Sequence, residues 1–407
     1  MFRRMAASLI AALTLLIAGG RQTPLAGAPE GFAAATATPD LSGVDAPDCL
    51  DDAAEMAALQ ERFVEGGVAD DKWPPGSVGG IIPPVRSVYD RAAGNLSDEI
   101  TEPTQWVFGA KTKLGYIAGV EVDPPRKEFY TINNDGGDRL AVFSYGDHGN
   151  VEPRRVLLVP HQSWDVSLAP KRDEIAITVQ QSNAISIFKR DAKGTDKPLR
   201  TIRGLATELE DPHGLFFDEQ HNEIVTANHG NWTQIRPYTP YDPLVTEMGE
   251  YKPGHFHASS IVVHPATANG DVAPVRRIEG RLTGLNWPMG LDVDLTHDEI
   301  AIANYGDSSI RIFRRTDSGD AAPIRTIRGA QTRIVGPISV AIDAKNDEIW
   351  AANYGDHTAV VFPRTATGNV KPKRILRNAP ANTPTCGFTN ASAAAYDSRR
   401  DQLLVPN

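Results

Sequence analysis

The chain has 407 residues, 41% of them hydrophobic, and its 41 basic and 51 acidic side chains leave a formal charge of −10. That balance argues against nucleic acid and anionic membrane surfaces as partners, because both select clustered Lys and Arg. With 35 Gly and 30 Pro, the length suits one large turn-rich unit with an extension.

Residues 1–28 read as a secretory signal, with Arg3 and Arg4, an apolar run from Ala6 to Ala18, and small residues after it. The run is too short to span a bilayer. The mature chain is therefore expected to be exported, periplasmic or extracellular, without stable membrane insertion. Residues 29–47, rich in Ala, Thr, Pro and Gly, read as a flexible linker. Residues 48–84 are a predicted helical extension: Asp48 is placed to cap a helix that carries Met56, Leu59 and Phe63 on one face and stops at Gly66 and Gly67. The two cysteines, Cys49 and Cys386, are expected to form a disulfide in an oxidising compartment, with two free thiols as the alternative.

From residue 85 onward the chain repeats. One half-unit reads D-E-I-x-x-A-N and appears at Lys127–Asn133, Asp173–Val179, Asn222–Asn228, Asp298–Asn304, Asp347–Asn353 and Asp401–Asn407. An apolar run, usually closed by Asp, precedes each copy. The second half is an apolar run, a Gly-containing turn and Pro-x-Arg-x-Ile, as in Ile310–Ile327. Five copies of this second half follow a D-E-I type half, and a sixth, Ser87–Ile100, stands alone at the front. Each unit supplies four short strands, and four-stranded units at a fixed period indicate a β-propeller. The expected fold is all-β, a six-bladed β-propeller over residues 85–407. Its last blade is closed by N- and C-terminal strands, with the short N-terminal helix added. The Asp-Glu that opens each D-E-I half is read as turn chemistry with a solvated charge.

The spacing locates one irregular blade. Ile175 to Ile224 and Ile300 to Ile349 are each 49 residues apart, whereas Ile224 to Ile300 is 76. The 27 extra residues, 231–257, form an aromatic, Pro-rich insertion in the third blade, and long loops on a rigid scaffold are where function concentrates. Strand direction places this insertion on one face with the loops entering each blade and the turns after each Asn. That upper face would gather Trp164, Trp232, Asn286, Trp287, Tyr305 and Tyr354 as binding residues. Asn133, Asn228, Asn304, Asn353 and Asn407 share one repeat position, with Val179 as the exception. Their amide oxygens could ring a hard cation such as Ca²⁺. The competing reading is turn chemistry, in which Asn bonds its own backbone and the following Gly takes positive φ. His213, His229 and His257 are the catalytic candidates, and His213 and His257 could hold Zn²⁺. His161, His264 and His357 read as ordinary surface or turn residues.

Pro288–Asp294, PMGLDVD, followed by Asp298–Phe313 and the Pro-x-Arg-x-Ile link at Pro323–Ile327, resembles NHL repeats, and the span from about Val85 to Asn407 is similar to an exported bacterial NHL-type propeller of the TolB-like/SMP-30-like superfamily. The resemblance implies an interaction platform for a protein or small-molecule ligand. The similar gluconolactonase/SMP-30-like enzymes and the peptide-amidating lyases add an alternative, a metal-dependent hydrolase of lactonase or esterase type, or a lyase, with calcium or zinc in the channel. The Gly-Glu-x-Pro lead into the first blade that the lactonases use has no counterpart in this chain.

Overall fold

The computed structural model describes residues 105, 107, 109–134, 137–180, 182–230, 258–355, 358–376 and 393–406. The signal, the linker, the helical extension, both cysteines, the 231–257 insertion with Trp232 and His257, and Asn407 lie outside them. Five antiparallel four-stranded sheets follow one another in sequence order. The first is β1 (Ile117–Asp123), β2 (Glu128–Asn133), β3 (Arg139–Ser144) and β4 (Arg155–Leu158). The second is β5 (Ser163–Ala169), β6 (Glu174–Val179), β7 (Ala184–Lys189) and β8 (Arg200–Arg203). The third is β9 (Pro212–Asp218), β10 (Glu223–Asn228), β11 (Ser260–Pro265) and β12 (Arg276–Ile278). The fourth is β13 (Pro288–Asp294), β14 (Glu299–Asn304), β15 (Ser309–Arg314) and β16 (Arg325–Arg328), and the fifth is β17 (Pro337–Asp343), β18 (Glu348–Asn353), β19 (Thr358–Pro363) and β20 (Arg374–Leu376). The protein is a β-propeller, and these sheets are five of its blades. A two-stranded sheet, β21 (Ala395–Asp397) and β22 (Gln402–Leu404), ends the described chain. It packs on Val120 of the first blade on one side and on Ala341 and Trp350 of the fifth on the other. The described residues contain no α-helix, only isolated 3-10 turns.

The repeat pattern builds this packing directly. In β6, Ile175 and Ile177 join the first blade's core while Ala176 joins the third's. In β14, Ile300 and Ile302 face the third blade while Ala301 and Ala303 face the fifth. The period-2 alternation of D-E-I-A-I-A-N therefore sets a large residue against one neighbour and a small one against the other, so that consecutive sheets interlock. The first strands, innermost in each blade, approach closely. A Cβ on Gly290 would sit 2.8 Å from Ser339 Cα and 2.9 Å from Ile338 O, both in the next blade, so this strand tolerates no side chain there.

The solvated Asp-Glu expected from the sequence needs correction at the Glu. Glu174, Glu299 and Glu348 are buried. Each is gripped at both oxygens by the Arg of its own blade's Pro-x-Arg segment, and the pairs Arg155–Glu128, Arg200–Glu174, Arg276–Glu223 and Arg325–Glu299 all close at 2.6–2.9 Å. Arg374 grips Glu348 in the same way. The clamp spans from second strand to fourth strand, and the Coulomb and hydrogen-bonding gain outweighs desolvation, holding Glu174, Glu299 and Glu348 below the usual carboxylate range. The preceding Asp does behave as a turn residue: Asp173, Asp298 and Asp347 have left-handed backbone and exposed side chains.

Adjacent blades are also stitched at their outer edges. The Gly of each third-to-fourth strand turn, for example Gly319 at φ 70°, forms a parallel bridge to the fourth strand of the blade before it: Leu157 with Gly194, Ile202 with Gly270, Ile278 with Gly319 and Ile327 with Gly368. Val107 makes the same bridge to Gly149 of the first blade. In four blades the residue after this Gly, Asn150, Asp271, Asp320 or Asn369, accepts a backbone N–H from the segment entering its own blade.

Candidate functional site

The segments entering four of the blades share a Gly-x-x-Thr turn, Gly109–Thr112, Gly204–Thr207, Gly280–Thr283 and Gly329–Thr332, closed by Thr Oγ1 donating to the Gly carbonyl at 2.6–2.7 Å. The repeated Asn locks each segment down. Asn133, Asn228, Asn304 and Asn353 are fully buried, and each Oδ1 accepts the backbone N–H of Gly115, Glu210, Asn286 or Val335 at 2.8–3.2 Å. Each Nδ2 donates to the carbonyl of Lys113, Glu208, Gly284 or Arg333. The amides thus serve their own blade's lead-in, about twenty residues upstream, and Asn304 Nδ2 also donates to Asp307 Oδ1 of its own turn at 2.6 Å. Gly306 and Gly355 have no positive φ; they are glycines because the side chain of Asn286 and the backbone of Val335 lie where a Cβ would go. Val179 has no Asn because the second blade is entered by the short stretch from Val159 to Ser163, which leaves nothing for an amide to hold.

The register brings the start of each first strand beside the end of the second: Ser163 with Val179, Pro212 with Asn228, Pro288 with Asn304. This end gathers most of the predicted face into a row of rings. Trp164 meets His213 edge-on at 4.2 Å between centroids, His213 lies 4.6 Å from His229, His229 4.9 Å from Trp287, and Trp287 stacks over Tyr305 at 6.3 Å. Tyr354 interacts electrostatically with Tyr305. Asn286 stands apart, packed over Gly306. Trp287 is 41% exposed although its backbone is left-handed at φ 51°, a conformation that costs a bulky residue on the order of 1–2 kcal/mol.

The residue before the inner strand is left-handed in four successive blades: Gln162, Asp211, Trp287 and Gly336. At this position stands Asp211, which the repeat pattern does not single out. Its carbonyl accepts from His213 Nδ1 at 2.8 Å, and its Oδ2 lies 3.3 Å from His229 Nδ1. Asn183 Oδ1 accepts the Asp211 N–H at 2.7 Å. Burial opposes ionisation of Asp211, but His213, His229 and Gln180 outweigh it and hold the carboxyl at about 2. Burial pushes His213 down to about 4 against the pull of Asp211, so its imidazole is neutral at neutral pH. His213 Nδ1 donates to the Asp211 carbonyl and His229 Nδ1 faces its carboxylate, so in each ring the neutral tautomer that keeps this contact carries its lone pair on Nε2. His229 Nε2 is buried without a hydrogen-bond partner among the described residues. One ligand atom from each of Asp211, His213 and His229 lies within 4.8 Å of the others.

His264, read as a surface or turn residue, is instead fully buried in β11. Its Nε2 bonds the Thr207 carbonyl at 3.0 Å, and burial lowers it to about 4. His161 is partly exposed and pairs with Asp138 at 2.7 Å.

Below the row of rings the channel carries three carboxylates on first strands, Glu121, Asp165 and Asp292. Asp165 Oδ2 accepts the N–H of Leu215 and Asp292 Oδ2 that of Ile342, each in the adjoining blade, at 3.0 and 2.7 Å. Burial pushes Glu121 up to about 8, Asp165 to about 7 and Asp292 to about 6, with smaller rises from Asp292, Asp165 and Asp123 at Glu121, from Asp292 at Asp165 and from Asp294 at Asp292.

No protein-family model matches the chain, and no curated protein matches it. Among solved structures it is similar to a chain of a nidogen/laminin complex, with 14% identity over 64% of this chain and 82% of that one and a TM-score of 0.44. It is also similar to a functionally unknown protein from Desulfotomaculum acetoxidans DSM 771, with 14% identity over 66% and 74% of the two chains and a TM-score of 0.43.

Proposed function

We propose that the chain is an exported six-bladed propeller of NHL type that binds a small-molecule or protein ligand on its upper face. The observation that carries the binding role is the continuous row from Trp164 through His213, His229 and Trp287 to Tyr305. An exposed Trp held on strained backbone beside stacked rings suits planar or cationic groups. The 231–257 insertion is rooted in the same place. Ser259, just after it, donates from Oγ to the His229 carbonyl and accepts the Trp287 N–H. Trp287→Ala is expected to weaken a captured ligand about 30-fold, the effect of a central aromatic anchor, while Leu282→Ala, another exposed apolar side chain, leaves it unchanged. Affinity unaltered in Trp287→Ala would remove the reading. The assay uses the mature chain, whose intact mass also reports whether residues 1–28 have been cleaved.

Six blades are supported by the bridge from Val107 to Gly149. Every other bridge of this kind starts at the last residue of Pro-x-Arg-x-Ile or its Leu variant, and Pro103-x-Gln105-x-Val107 fits that frame with Gln in place of Arg. The Glu position of β22 is Gln402, so clamp acid and clamp base are both replaced by amides in the proposed closing blade. Gln105→Arg and Gln402→Glu are expected to couple in a double-mutant cycle by about 0.5–3 kcal/mol, the range for residues in contact. Strict additivity in thermal unfolding would place the two residues apart.

A second reading, a metal-dependent hydrolase of lactonase or esterase type or a lyase, is favoured by the grouping of Asp211, His213 and His229. It requires an ion on these residues and stands or falls with their metal loading.

A further inference from the structure

We infer that Asp211, His213 and His229 form a binding site for a borderline transition-metal ion of the Zn²⁺ class. The inference deepens the second reading and is independent of the first. Three observations converge on it. One left-handed residue holds both imidazoles, His213 through its carbonyl and His229 through its carboxylate. This is the outer support that metal-binding histidines use, in which Nδ1–H is committed to an oxygen and Nε2 faces the ion. Next, the buried His229 Nε2 has no partner among the described residues, an arrangement that burial makes costly unless something else fills it. Third, the pair of imidazoles is particular to this blade. The positions equivalent to His213 hold Ala118, Trp164, Met289 and Ile338, and those equivalent to His229 hold Asn134, Gln180, Tyr305 and Tyr354. A repeat scaffold that needs neither His elsewhere has both here, at the root of the insertion.

The donors select the ion. Two imidazole nitrogens suit Zn²⁺, Cu²⁺, Ni²⁺ or Co²⁺, whereas Ca²⁺ requires six or more oxygens. The buried Asn amides supply no such set, because each is spent on its own lead-in. With Asp211 spent on holding the two Nδ1–H groups, the two Nε2 atoms are the protein donors, and a four-coordinate ion on them keeps positions open for a bound water or carbonyl that it could polarise. Trp164 and Trp287 flank the pair and wall the site with apolar surface.

The test uses the full mature chain, purified without chelator or affinity nickel, with Co²⁺ as the probe and Zn²⁺ as competitor. One Co²⁺ per chain is expected, giving visible d–d absorption that Zn²⁺ abolishes. His213→Ala and His229→Ala should weaken binding at least 100-fold, and Asp211→Asn 10- to 100-fold, each with circular dichroism unchanged. Should the His variants fail to fold, the ion is located by Co²⁺ quenching of tryptophan fluorescence, which is expected to fall in Trp164→Phe and in Trp287→Phe. No Co²⁺ absorption in the wild-type chain, wild-type affinity in the folded His variants, or quenching unchanged in both Trp variants would each overturn the site. An ion that binds as described without turnover of a lactone and ester panel would retire the enzyme reading and leave the site standing. Loss of the ion leaves Trp287-dependent ligand capture as a separate result.

Discussion

Glu299→Ala is expected to destabilise the propeller by about 3 kcal/mol, the low end of the range for breaking a buried ion pair from one side. Glu299 is buried in β14 and accepts two hydrogen bonds from Arg325 of its own blade and one from Arg364 of the next, at 3.2 Å. Removing the carboxylate leaves Arg325 without its acidic partner between strands, while Arg364 keeps its ion pairs with Asp347 and Asp294. Asp298→Asn is the matched control. Asp298 is the adjacent residue, its side chain is about half exposed and paired with Arg315, and Asn tolerates its left-handed backbone. Its effect should stay within about 1 kcal/mol, as for exposed ion pairs. Urea unfolding decides the matter through the midpoint at constant m. Equal midpoint shifts for the two variants would mean that the clamp is ornamental to stability.

Glu121→Gln is expected to stabilise the protein at pH 8 and to flatten the dependence of Tm on pH. The folded carboxyl is raised from 4.5 to about 8, by burial first and by the charges of Asp292, Asp165 and Asp123 second, against the bond from the Val122 N–H. A raised acid binds its proton more tightly in the fold than in the unfolded chain. Its contribution is therefore fully present below about pH 4.5 and is lost as pH rises toward 8. Asp165 and Asp292 act with the same sign up to about 7 and 6. The clamp glutamates, whose carboxyls are lowered, act with the opposite sign but in a window below their ordinary value. Between pH 5 and 8 the channel acids should dominate, so wild-type Tm should fall. Glutamine keeps an acceptor for Val122 and removes the titration. An unchanged slope in Glu121→Gln would show that Glu121 ionises freely in the channel.

Much of this architecture is legible in the sequence because the chain repeats its own solution. The alternation in D-E-I-A-I-A-N specifies strands buried on both faces, and the order of the half-units specifies which strand is innermost. The gathering of Trp164, His213, His229, Trp287 and Tyr305 at one end follows from strand direction alone. Pairings between distant residues were harder to see. Glu174 and Arg200 are 26 residues apart, and so are Glu299 and Arg325, with an entire strand between. The sequence does carry a trace of the clamp: Glu223 and Arg276 are 53 apart, longer by the 27 residues of the insertion. Asp211 was hidden for a different reason. Its importance lies in a backbone conformation shared with Gln162, Trp287 and Gly336, four residue types with nothing in common as letters.

The turns that hook each blade to the one before it constrain how such a chain can lengthen or shorten. The hook glycine sits after the third strand of its blade, and its partner sits on the fourth strand of the preceding one. A duplicated or deleted stretch keeps every hook matched only when it spans a whole repeat, whatever the point at which it is cut. A gain or loss of half a period would leave two unmatched edges facing each other. The ancestry of this chain should therefore be written in complete periods, and circularly permuted versions should tolerate new ends best between the Gly and the buried Thr of the Gly-x-x-Thr turns, where the chain reaches the surface and no hook is severed.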